Sequence, residues 1–151
     1  MTRWSRFRLV SALTVCLALV LLVCAAPERH PGEVEAYYFG FRALPYEPVT
    51  LENIEEMAGC YFRFPSSGAE AIEIRVLLED AEAASFDRQN VRLLLRGLRS
   101  EDLYFDSQGT VAHVKGREGF RIGEDSFERL VRLLDSMAAR AGCIVGRPHK
   151  D

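Results

Sequence analysis

The sequence predicts an α+β fold: a mostly antiparallel sheet of five to six strands with two to three helices packed on one face, preceded by an N-terminal apolar signal or anchor helix. Three observations carry this. Short aromatic and β-branched runs recur between turn signals. The segment from Phe127 to Ala141 repeats apolar residues at helical spacing. The chain also opens on an uncharged apolar stretch, Leu9 to Ala26. The resulting order is β-α-β-α, then a meander of strands, then a closing helix, with helices on one side of an antiparallel sheet.

Arg3, Arg6 and Arg8 precede the 18-residue apolar run. A basic segment followed by an apolar one reads as an export signal, because the apolar stretch partitions into lipid while the cations stay on the cytoplasmic side. Three fates stay open. Cleavage after Ala25 would use Val23 and Ala25 as the small flanking residues. Leu21-Leu22-Val23-Cys24 resembles a bacterial lipobox apart from Val23, which makes Cys24 a lipidation candidate. Retention as an anchor is the third, since 18 residues just span a bilayer. Residues 27–33 follow as a polar linker, 34–145 as one α+β domain and 146–151 as a tail.

Within the domain, Val34 to Phe41 reads as a first strand. Pro45 and Pro48 break the chain, and Thr50 caps a short helix reaching Met57, with Gly59 just past its end. Cys60 to Phe64 is a second strand, stopped by Pro65. Ser67 and Glu70 have capping-box spacing and predict a helix over Gly68–Ala83, although Ile72, Ile74, Val76 and Leu78 also alternate as in a strand. Asn90 to Leu98 is a third strand, with Val91, Leu93 and Leu95 on one face and Arg92 and Arg96 on the other. Leu103–Phe105 and Thr110–Lys115 form a hairpin across Asp106-Ser107-Gln108-Gly109. Phe120 to Ile122 is the last strand. Phe127, Leu130, Val131, Leu134, Ala138 and Ala141 form one helical stripe, with Glu124 and Asp125 in the first turn, where the helix dipole favours anions.

Charge and cysteine content narrow the function. The chain holds 19 basic and 22 acidic residues; without the three leader arginines, 16 basic residues face 22 acidic ones, a net charge near −6. A nucleic-acid binder would need a basic footprint. Cys60 and Cys143 are the only cysteines of the four beyond the apolar run and its end. In an exported domain such a lone pair is a disulfide candidate, with two buried thiols as the alternative. In the chain-entropy model the bond would contribute roughly 4–5 kcal/mol.

The sequence contains no recognisable catalytic constellation. His30, His113 and His149 are scattered, with no metal-binding spacing. No nucleophile elbow and no phosphate loop occur, and Gly116-Arg117-Glu118-Gly119 reads as a turn. The adjacent acids Glu55-Glu56 and Glu101-Asp102 read as solvated surface rather than as glycosidase acids across a cleft. No cofactor is expected. Two surface features remain. Arg88, Arg92, Arg96 and Arg99 form a row about the third strand, which fits either a solvated face or a partner site centred on Arg92 and Arg96. Tyr37, Tyr38, Phe39, Phe41 and Tyr46 form an aromatic group, with Tyr38 assigned to the core and Tyr37 and Tyr46 as candidate contact residues.

Thr50 to Cys143 resembles small exported bacterial immunity proteins that act against secreted toxins, and exported lipoproteins of similar size. The resemblance rests on Ile54-Glu55-Glu56-Met57-Ala58-Gly59-Cys60, the hairpin Tyr104–Gly109 and the helix approach Phe120–Phe127. It implies a noncatalytic domain that blocks a partner protein in the periplasm. The rival expectations are an accessory protein of the cell envelope and, third, an envelope hydrolase. The partners expected are an envelope protein and the membrane, the latter through residues 9–26 or a lipid on Cys24.

Overall fold

A computed structural model of the chain describes residues 32–113 and 118–143. The apolar N-terminal run, the lipidation candidate Cys24 and the tail after Cys143 lie outside the described residues. Seven strands form one antiparallel sheet: β1 (Glu33–Tyr38), β2 (Cys60–Pro65), β3 (Glu82–Ser85), β4 (Val91–Arg96), β5 (Leu103–Asp106), β6 (Thr110–His113) and β7 (Glu118–Arg121). Their spatial order is β2-β1-β4-β5-β6-β7-β3. The helices are α1 (Ile54–Met57), α2 (Ala69–Leu77) and α3 (Glu124–Arg140).

The extra strand corrects the expected helix over Gly68–Ala83. That helix stops at Leu77, and Glu82–Ser85 pairs with β7 as the far edge of the sheet. The expected capping box does not form, since Gly68 is the N-cap without a side-chain bond. Glu70 instead meets Arg140 of α3 at 3.1 Å. The short first helix likewise begins later than expected. Asn53 Oδ1 accepts the Thr50 N–H at 2.6 Å, and its Nδ2 donates to the Pro48 carbonyl at 3.0 Å.

Alternation places Val34, Ala36 and Tyr38 of β1 and Cys60, Phe62 and Phe64 of β2 on one face, under α2 and α3. Ile74 and Leu77 of α2 and Leu130, Leu134 and Met137 of α3 close over them. The other face is covered too, which corrects the expectation that all helices share a side. Ile54 of α1 packs with Phe39, Val49, Val91, Leu94 and Tyr104 in a second core. A register shift between Val91 and Leu93 accounts for the sorting of β4. Leu93 and Leu95 enter the first core and Val91 joins Leu94 in the second, so Val91 does not share a face with Leu93. A bulge adds a residue to one strand and so moves a side chain between faces.

Three tertiary ties fix this arrangement. Cys60 and Cys143 are bonded, with Cα atoms 5.4 Å apart, so the end of α3 is fastened to edge strand β2. The buried Tyr38 hydroxyl donates to Asp135 Oδ1 at 2.6 Å, which fastens the middle of α3 to β1. Asp106, 1% exposed, accepts the backbone N–H groups of Asp87, Gln108 and Thr110 at 2.9–3.0 Å. That carboxylate organises the β5–β6 turn, where Gly109 has φ +77° and a Cβ would meet the Phe127 ring at 2.6 Å.

Two outcomes follow. Cys60→Ser combined with Cys143→Ser should lower unfolding stability by about 2–5 kcal/mol, read as a fall in denaturation midpoint matched by reductant on the native chain. Burial and the bond to Asp135 raise the Tyr38 pKa above its ordinary value of 10.0. The folded state thus keeps Tyr38 protonated where the unfolded chain would ionise, and that stability is present below pH 10 and lost as pH rises beyond it. Tyr38→Phe should cost about 1–3 kcal/mol at pH 7 and flatten the alkaline decline, as followed by urea midpoints from pH 8 upward.

Candidate functional site

The residues singled out in the sequence separate into two groups, those consumed by the fold and those left to solvent. Arg92 belongs to the first. It projects into the second core and is only 4% exposed, because the segment from Phe39 to Ala58 covers a face that the sequence left open to water. Its guanidinium lies 5.5 Å from the Phe39 ring centroid and donates to the Val91 carbonyl at 3.1 Å and to Asn90 Oδ1 at 2.7 Å. Its Nε has no hydrogen-bond partner among the described residues. Burial lowers its pKa, with the charges of Asp87 and Asp106 acting the other way.

Arg96 is half-buried and already paired. It meets Glu55 of α1 through two bonds of 2.8 and 2.5 Å and Asp102 through one of 3.1 Å. The bond to Glu55 raises its pKa further, opposed by burial and helped by Asp102. Bidentate pairing of this kind is the strong geometry for an arginine and a carboxylate. The same guanidinium lies 5.4 Å from the Tyr37 ring centroid. Tyr37 is half-buried, with its other side 5.0 Å from the Tyr61 ring, and burial raises its pKa. Arg96 and Tyr37 therefore hold α1 against the sheet.

The second group is a loop. Between β1 and α1 the chain runs out through Gly40 to Pro48, and its tip carries Tyr46 at 95% and Leu44 at 90% exposure. Sequence reasoning named Tyr46 but missed Leu44, whose only signal was an apolar residue between two turn-forming stretches. The base of this loop is fixed on both sides. Phe39 N–H donates to the Arg92 carbonyl at 2.9 Å, Val49 bridges Asn90, and Asn53 grips the Pro48 carbonyl. Two large apolar side chains thus stand bare on a tethered loop.

At the same end of the sheet, Tyr61 lies across from Tyr37 and is 42% exposed. Its hydroxyl donates to Glu35 Oε1 at 3.1 Å and accepts from Arg63 Nε, and the Arg63 guanidinium lies over its ring. Neither Tyr61 nor Arg63 stood out in the sequence, because their exposure depends on β2 being an edge strand.

The acids singled out in the sequence do not form a facing pair. Glu55 and Asp102 converge on one arginine instead of facing each other across a cleft, and Glu101 lies beside His113 at 3.4 Å. Among the described residues no group of three metal-ligating side chains comes together. Arg96→Ala and Arg92→Ala should each lower stability by about 1–2 kcal/mol, whereas Tyr46→Ala should stay within about 0.5 kcal/mol of the native chain, all measured by urea unfolding. No family model matches the chain, and neither a curated protein nor a solved structure does.

Proposed function

We propose that this chain is a noncatalytic, exported protein-binding domain that acts by occupying a partner protein in the periplasm, in the manner of an immunity or inhibitor protein. The observation that carries the reading is the Leu44-Pro45-Tyr46 tip, with its two large apolar side chains almost wholly in solvent on a loop tied down at both ends. Exposed aromatic and aliphatic anchors on a preorganised support bind proteins with little ordering cost. The Cys60–Cys143 bond supports an oxidising compartment, where such bonds form and persist. The acidic excess of the body favours a basic partner surface.

The full chain, immobilised through its C-terminus, should retain a stoichiometric protein from an envelope extract. Binding of that protein, once purified, should weaken at least tenfold in Leu44→Ser/Tyr46→Ala, at unchanged melting temperature. Equal binding by the variant, or retention of no stoichiometric protein, overturns the reading.

A further inference from the structure

The helix-covered face has a corner that its helices do not reach. Seven strands span six interstrand gaps, about 29 Å. The chain leaves edge strand β2, forms α2 and arrives at the opposite edge strand β3, so this segment must cross the whole sheet. α2 has nine residues, a length of about 13 Å. It is anchored at the β4 end by Arg75, which donates twice to the Leu98 carbonyl at 3.0 and 3.2 Å. Of this segment only the short connection from Leu78 to Ala81 continues over β5, β6 and β7, while α3 meets these strands with Phe127 against Gly109 of the β5–β6 turn.

Beneath that connection lies a cavity of about 200 Å³. Its floor is the apolar row Leu103, Val111 and Phe120, from three adjacent strands, and its wall is Leu78 and Ala81. Phe120 pairs with Val111 on the helix side of the sheet yet is 44% exposed, a large apolar group left bare where a longer helix would have covered it. The cavity is lined on its polar side by Arg99 and His113. His113 Nδ1 is buried without a hydrogen-bond partner among the described residues, although Glu101 Oε2 approaches to 3.4 Å outside bonding geometry. Arg99 makes no ion pair among the described residues, unlike Arg96 three residues earlier.

An apolar floor ending at a guanidinium without a carboxylate is complementary to a molecule with an apolar body and a single anionic end. Glu101 faces the His113 side, and among the described residues no carboxylate pairs with Arg99. A cavity of about 200 Å³ lies below the ~300–1,000 Å³ of pockets for drug-sized ligands, which suits a short hydrocarbon chain rather than a whole lipid. We propose that this corner binds a small apolar monocarboxylate, with its hydrocarbon part on Val111 and Phe120 and its carboxylate accepting hydrogen bonds from Arg99. The site is separate in sequence and in fold from the Leu44–Tyr46 loop and does not depend on the reading of that loop.

Hexanoate is a suitable probe, with 1-hexanol and hexylammonium as controls of equal chain length. The oxidised full-length protein in lipid nanodiscs is titrated with each, while the backbone resonances of Leu103, Val111 and Phe120 are followed by NMR. Hexanoate should shift these resonances saturably and hexylammonium should not. Arg99→Gln, a change at an exposed residue, should weaken hexanoate about tenfold while leaving the weaker binding of 1-hexanol unchanged. Ala81→Leu, which fills the cavity, should remove both. Absence of a saturable shift with hexanoate, or equal hexanoate binding by Arg99→Gln, overturns the assignment.

Discussion

A seven-stranded sheet exposes two broad faces, and among the described residues three helices serve to hide both from water. The structure meets this constraint unequally. On one face α2 and α3 lie side by side and cover the strands from β2 inward. On the other, a single turn of helix and the irregular stretch around it close over β1, β4 and β5. The apolar residues Phe39, Val49 and Ile54 do there what a second helical layer would do in a larger protein. Where the cover runs out, side chains such as Phe120 stay bare.

The cover is light, so it is fastened. α3 is joined to the sheet covalently at its end, through Cys143 and Cys60, and by the Tyr38–Asp135 bond in its middle. α1, only four residues long, is too short to be stable by its own hydrogen bonds. Arg96 supplies the missing restraint by bonding Glu55 on the helix and Asp102 on the strand side at once. A charge held between two carboxylates above a tyrosine ring is a tie within the molecule, and its exposed area says little about partners.

That assignment changes what the surface offers. Arg92 is turned inward and Arg96 is neutralised by two carboxylates, whereas other exposed side chains have no internal role. Leu44 and Tyr46 meet that description, because removing them would uncover nothing. Phe39, Val49 and Asn53 hold the two ends of the loop that bears them.

The sequence by itself determined most of the local structure. The stripe from Phe127 to Ala141 is a helix because its apolar side chains fall on one side at 3.6 residues per turn. The hairpin at Asp106–Gly109 forms because a short acceptor and a glycine satisfy its turn. The lone pair of body cysteines was legible as a bond. Only the tertiary structure decided which strands lie at the edges, and hence that Glu82–Ser85 leaves the helical pattern to pair with β7. It alone decided the fate of Arg92, since a residue at the bulge between Val91 and Leu93 gives no hint in one dimension that its face will be roofed by Phe39, Val49 and Ile54, far earlier in the chain. Alternation specifies two faces of a strand; what covers each face is set by long-range packing, which a local pattern does not encode.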